Sequence, residues 1–306
     1  MKIFQLIDLI IRLFRLNNKS KVVLLFLIPT FLIGQNNAAF WLGKRATGAA
    51  PTNLLLDDYP GAAAAYSVRK LDKDYTGFAM EIRRASDNAT QNIGFTGNDL
   101  NTVAINSFCS GTTCTVRTWY DQSGNGRDIL QSTPSVQPSI YSGGAVITDN
   151  GKPTISFDNI DDFLQYNLAG ANNSHFFFVH KFRSQPDTDE YLLDTDTRVS
   201  IFPWTGGKYG VYGGISVLTN INVTFNLVAL NFEYAGSSSV LTVNTTRQTI
   251  NPGTLSFNTV RHARNYGSAT NYAPLNLTEF IYYPTRKTNT ERNAIENNIN
   301  SYFSIY

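Results

Sequence analysis

From residue 54 onward, short apolar runs alternate with turns rich in Gly, Asn, Ser and Pro, a pattern that predicts an antiparallel β protein. Strand alternation is read at residues 78–83 and 115–120. It recurs at 176–181, 191–193, 211–218, 226–232, 239–243 and 277–283. Two segments depart from it. Residues 62–71, after Pro60-Gly61, read as a short helix. Thr288-Asn289-Thr290-Glu291 fits a capping box, and Ile295, Ile299, Tyr302 and Phe303 then share one helical face. The expected domain covers 54–306 as a single all-β antiparallel sandwich closed by a docked C-terminal helix.

The first 53 residues have a different pattern. Between positions 3 and 16, polar side chains fall only at Gln5, Asp8, Arg12 and Arg15, one narrow stripe of an apolar helix. A second apolar run, 22–33, is interrupted by Pro29 and falls short of the roughly 20 residues of a membrane span. Three readings compete for this arm. It is a signal peptide cleaved near Gly34 or Ala38, a membrane anchor, or an assembly anchor buried against other chains. As an anchor it would work through Ile3, Leu6, Ile10, Leu13, Val22, Leu25 and Ile28, contacting a membrane or virion proteins through residues 1–34. Residues 38–53 read as a linker, so the expected division is 1–53 and 54–306.

Composition sharpens this picture at two points. Charged residues make up 16% and aromatics 13%, which suits a β-rich fold with polar turns and excludes disorder for the bulk of the chain. Net charge is +2, but in the first fifty residues seven basic side chains face only Asp8, giving +6 there and −4 over the rest. A mildly acidic folded part is the opposite of a nucleic-acid surface, so no nucleic-acid partner is expected.

The stretch that opens the domain contains an "AYS…L…Y.G…..RR.SD" series. It is followed by Cys109 to Cys114 as "FC….C" and by Tyr120-Asp121-Gln122-Ser123-Gly124-Asn125-Gly126. Over residues 54–166 this resembles the first half of the catalytic domain of fungal α-L-arabinofuranosidase B and related modules of phage virion proteins. Further on, Gly151-Lys152-Pro153 and Phe157-Asp158 with Asp161-Asp162 resemble the strand pair that opens concanavalin A-like and laminin-G-like jelly rolls. The terminal helix resembles the way laminin-G-like modules finish. The resemblance implies a disulfide between Cys109 and Cys114, the only two cysteines, and hence an oxidising compartment. Two reduced thiols are the alternative. A metal site there would need further ligands, and His175, His180 and His262 lie at no matching spacing.

Candidate ligand contacts are Asp121, Gln122 and Asn125, which could equally lock the turn. Trp204, Tyr209 and Tyr212 join them if exposed, because sugar C–H faces stack on aromatic rings. Hydrolysis of a glycoside normally takes two carboxyl groups. The fungal enzymes are expected to carry a Glu and an Asp in the second half, the Asp within Gly-Gly-Asp-Asn. Here the corresponding stretch reads Arg261-His262-Ala263-Arg264-Asn265-Tyr266-Gly267, and the family's vicinal cysteines are missing. No Asp follows Asp196, and outside the terminal helix only Glu233 and Glu279 remain. Asp158 with Asp161 or Asp162 is an alternative pair, although turn or structural calcium roles are commoner for such residues. No cofactor is otherwise expected.

These features favour a non-catalytic virion-surface or extracellular adhesion protein that binds glycans, such as a phage decoration, fibre or spike, held by its arm and homo-oligomeric. The alternatives are a secreted arabinofuranosidase-like hydrolase and a purely architectural capsid or tail protein. The expected location is the virion surface or the extracellular space, with a membrane-anchored exported form as the alternative.

Overall fold

The computed structural model describes residues 53–184, 190–204, 206–267 and 271–306. The anchor residues Ile3, Leu6, Ile10, Leu13, Val22, Leu25 and Ile28 lie outside the described residues. The chain divides into Met1–Pro51 and Thr52–Tyr306, and the described residues belong to the second unit.

Two antiparallel sheets face each other. The larger sheet runs in the order Thr246–Ile250, Ser239–Val243, Val228–Tyr234, Ser174–Phe182, Leu275–Tyr283, Ile155–Ser156, Ser139–Ser142, Cys114–Trp119, Met80–Arg84, Thr90–Ile93. The smaller has six strands, in the order Leu164–Gly170, Phe257–His262, Leu193–Thr195, Ser200–Trp204, Lys208–Tyr212, Ser216–Asn222. At the centre of the larger sheet, Ser174–Phe182 and Leu275–Tyr283 pair over nearly their whole length and are buried almost throughout. Covered on both faces, such strands read as continuous apolar runs, which is why both were legible in the sequence.

The core is aromatic. Phe178 and Phe280 of the large sheet approach to 4.9 Å between ring centroids, and the His262 ring of the small sheet lies 4.9 Å from Phe280. All three histidines are fully buried, and burial lowers their pKa to about 4 for His175, about 3 for His180 and about 4 for His262. They are neutral packing groups: His180 meets the Tyr209 hydroxyl at 3.0 Å and His262 meets the Tyr166 hydroxyl at 3.2 Å.

Residues 62–71 form no helix. Ala64–Ser67 is instead a strand paired to Leu275–Tyr283, with Ala64 opposite Tyr282 and Ser67 opposite Glu279. Alanine favours helix in isolation, but all four residues are buried and the pairing overrides the propensity. The C-terminal helix is as expected, Asn289–Phe303, with Thr288 and Glu291 closing the capping box. Its Ile295, Ile299 and Phe303 are buried, and Tyr302 is partly buried. Cys109 and Cys114 are joined in a disulfide. No helix among the described residues is long and apolar enough to cross a membrane.

Candidate functional site

The conspicuous loop from Tyr120 to Gly126 is a lock on the neighbouring strand. Asp121 accepts backbone N–H groups from Ala65, Ser123 and Arg127, while Gln122 accepts from Leu71 N–H and donates to the carbonyls of Ser67 and Arg69. Asn125 donates to the Ala62 carbonyl at 3.0 Å. Gly124 and Gly126 supply the left-handed turns, at φ 82° and 66°. Asp121 and Gln122 are buried, with their polar atoms bonded inside the protein.

Glu233 and Glu279, the carboxylates of the second half, are likewise structural. Arg69 grips Glu279 through Nε at 2.7 Å and Nη2 at 2.9 Å, and Ser67 Oγ donates to it at 2.7 Å. Glu233 is fully buried among Arg247, Arg286 and Arg292. Burial pushes its pKa up, but the Arg286 hydrogen bond and the neighbouring positive charges outweigh this and hold it below the usual range. It fastens the terminal helix to the sheet. Asp158, Asp161 and Asp162 form a tight turn in which Asp158 Oδ1 accepts the N–H groups of Ile160, Asp161 and Asp162. Burial, with the Asp158 charge, raises Asp162 to about 7.

The outer face of the six-stranded sheet is different. Leu193 lies opposite both Ile201 and His262 and points into the core, so its neighbour Asp194 points outward. Asp194 pairs with Arg261, which pairs with Gln165; on the other side the register continues through Ser200, Tyr212 and Ser216. A row of polar side chains thus crosses the sheet at right angles to its strands. At one end of the row is a pocket of about 240 Å³ lined by Tyr191, Arg198, Ser200, Phe202, Tyr212 and Ser216.

The pocket's polar wall is held from behind. Arg198 has a left-handed backbone, φ 72°, unusual for a residue with a side chain. Its guanidinium donates to Asn265 Oδ1 and to the Tyr191 hydroxyl, both at 2.7 Å, and its Nε lies 3.4 Å from Asp194 Oδ2. Asp194 also accepts the Tyr266 N–H at 2.7 Å. Burial dominates its titration and raises it to about 6, against the opposing pull of the Tyr266 N–H and Arg198. The segment 261–267 therefore packs against the wall of this pocket.

Of the aromatic candidates, Tyr212 lines the pocket and Trp204 packs on the lining residue Phe202 at 5.3 Å between centroids. Tyr209, on the opposite face, is fully buried in the core. Sequence reading did not single out Asp194, Arg198, Tyr191 or Ser200. The only signal they offered was the Asp194 and Arg198 spacing before a strand, which also fits an ordinary turn.

Residues 56–154 match the family model of the catalytic domain of α-L-arabinofuranosidase B. A probable α-L-arabinofuranosidase B of Aspergillus terreus is 43% identical over 77 residues, 24% of this chain and 15% of that protein. The Aspergillus fumigatus counterpart is 38% identical over 104 residues, 32% of this chain and 21% of that protein. Among solved structures, a GH54 α-L-arabinofuranosidase superposes with a TM-score of 0.58 at 17% identity, covering 78% of this chain and 62% of that one. An arabinofuranosidase complexed with arabinofuranosyl-α-1,2-xylobiose gives 0.56 at 16% identity, with the same coverage. The sequence matches thus span about a fifth or less of these curated relatives' length. The fold is that of the GH54 enzymes.

These matches overturn the non-catalytic phage decoration, fibre or spike reading and the capsid or tail alternative. The relatives are glycoside hydrolases, and nothing in the described residues points to a virion. The non-catalytic part of that expectation rested on the absence of the family's carboxyl pair, the phage part on the resemblance to phage modules and on the arm. In the structure Glu233 and Glu279 are held by arginines, and Asp194, which the sequence reading did not consider, is ion-paired with the pocket residue Arg198. The disulfide, together with the relatives, points to an extracellular setting.

Proposed function

We propose that this protein is an arabinofuranosidase-like glycoside hydrolase that takes a terminal α-L-arabinofuranosyl group into the pocket of Tyr191, Arg198, Ser200, Phe202, Tyr212 and Ser216. The observation that carries the reading is the match of residues 56–154 to the catalytic-domain model of that family. The pocket agrees with it, because segment 261–267, where the resemblance sets the family's catalytic Asp, borders the pocket through Asn265 and Tyr266.

Asp194, buried behind the lining residue Arg198 and not itself part of the pocket's lining, is the group assigned to proton transfer. A carboxyl with a pKa of about 6 still carries its proton in a useful fraction of molecules near neutrality and can protonate a departing glycosidic oxygen. Arg198 and the Tyr266 N–H orient it. Hydrolases of this kind normally use a second carboxyl on the other side of the bond. Among the described residues no carboxyl lines this pocket, so turnover is expected to be slower by about 10²–10⁴, the usual contribution of one general acid or base.

The test is release of 4-nitrophenol from 4-nitrophenyl α-L-arabinofuranoside by the full chain and by Asp194→Asn. Slow release that falls at least tenfold in the variant, with the fold intact by circular dichroism, is the expected result. Release that is unchanged in Asp194→Asn would move the site elsewhere. Complete inertness of the wild type towards this and arabinoxylan substrates would overturn the hydrolase reading.

A further inference from the structure

A second depression lies on the half of the domain that matches the family model. Its wall is made by Lys70, Tyr75, Thr76, Gly77, Phe78 and Phe95, its volume is about 270 Å³, and no residue of the pocket described above takes part in it. Its distinctive feature is an exposed aromatic ring. Phe78 keeps 48% of its surface in solvent, although the strand that begins two residues later is mostly buried.

The rings are held in place by the backbone beneath them. The Tyr75 hydroxyl donates to the Phe78 carbonyl at 2.8 Å, tying the two residues together across Gly77. A Cβ on Gly77 would come within 2.4 Å of the Tyr75 hydroxyl oxygen and 2.6 Å of the ring, so only glycine lets that ring fold back. On the far side a Cβ on Gly94 would touch the Phe78 ring at 3.6 Å, ordinary contact distance. Tyr75 meets Phe95 edge-on at 6.4 Å, and Phe78 meets Tyr120 at 6.4 Å with the planes tilted by 45°. Half-burial, with the Asp128 and Asp121 charges, raises Tyr75 to about 12, so its hydroxyl stays a donor throughout the ordinary pH range. Polar groups stand around the rings: the Tyr120 hydroxyl bonded to Asn92, Thr76, and Lys70, whose ammonium donates to the Lys73 carbonyl at 2.8 Å.

A fixed, half-exposed aromatic plane ringed by hydroxyl, amide and ammonium groups matches the surface of a pyranose, whose C–H face is apolar and whose edge is a belt of hydroxyls. A solitary exposed ring would need no explanation. The Phe78 ring instead stands beside the Tyr75 ring, which Gly77 admits and which a hydrogen bond to the Phe78 carbonyl holds. We propose that the Tyr75–Phe78 depression is a second glycan site, which stacks one pyranose unit of the backbone that carries the arabinofuranosyl side groups. The inference rests on the hydrolase reading for its choice of polysaccharide, and on the geometry alone for its existence. Its use would be to hold the domain on a polymer while the pocket works on side groups, raising the local concentration of substrate without contributing to the reaction.

Affinity electrophoresis of the full chain in gels containing soluble wheat arabinoxylan separates the two claims. Wild type is expected to be retarded and Phe78→Ala to lose at least fivefold in affinity, while both release 4-nitrophenol from the aryl arabinofuranoside at equal rates. Gly77→Ala should weaken retardation in the same way by displacing the Tyr75 ring. Asp194→Asn should lose turnover and keep retardation. Equal retardation of wild type and Phe78→Ala, or no retardation of wild type, would overturn the second site whatever the hydrolysis assay shows. Loss of aryl-substrate turnover in Phe78→Ala with an unchanged circular dichroism spectrum would also overturn it, since the depression would then belong to the reaction.

Discussion

The two halves of the domain treat their polar residues in opposite ways. In the first half, Asp121, Gln122 and Asn125 are bonded to the backbone of the paired strand, and the same residues carry the family match. In the second half, the outer face of the six-stranded sheet presents Arg198, Ser200, Tyr212 and Ser216 around a cavity, with Asp194 buried behind Arg198, beyond the matched residues. The family match thus covers the part that locks the fold and ends before the residues around the cavity. A match of this kind identifies the scaffold first, and the reaction has to be argued from the pocket.

If that contrast is right, substitutions in the two regions should separate by size of effect. Glu279→Ala leaves Arg69 as a buried charge without its partner and should lower stability by about 3–5 kcal/mol in a denaturant melt. Tyr212→Ala, at the half-buried rim of the pocket, should stay within about 1 kcal/mol of wild type in the same experiment. Comparable losses would mean that the outer face is as structural as the lock. Next in size is the disulfide. Its loop is short, with a sequence separation of 5, so chain entropy gives it about 2 kcal/mol, and Cys109→Ser with Cys114→Ser should lose about that much. Thiol labelling of the unfolded, unreduced wild type should find neither cysteine; two labelled thiols would remove the oxidising setting from the account.

How much of this was legible in the sequence depended on burial. Strands covered on both faces, such as Ser174–Phe182 and Leu275–Tyr283, announce themselves as apolar runs. The edge strands Thr90–Ile93 and Thr246–Ile250 do not, because nearly all their residues face water and no alternation remains. The helix Thr102–Phe108 was also missed: it buries only Ile105, and its main signal is the Asn101 cap. The start of the terminal helix and its apolar face could be read because the capping box and the spacing of that face are local. The disulfide was anticipated, and Tyr212, which lines the pocket, had been named among the aromatic candidates. Asp194 was not, since its meaning depends on segment 261–267, about seventy residues away, folding back to give it the Tyr266 N–H. Glu233 and Glu279 drew attention for the opposite reason. Composition shows that a carboxylate exists, and only the fold shows that arginines already hold it.

The most direct test of the central claim is the pH dependence of kcat/KM for 4-nitrophenyl α-L-arabinofuranoside. If Asp194 gives the proton, it must be protonated to act, so the rate should fall as pH rises through about 6, roughly tenfold per unit above that, and the limb should vanish in Asp194→Asn. A rate that is flat from pH 5 to 8, or a limb that survives the substitution, would contradict the assignment of this pocket and its carboxyl as the site of reaction.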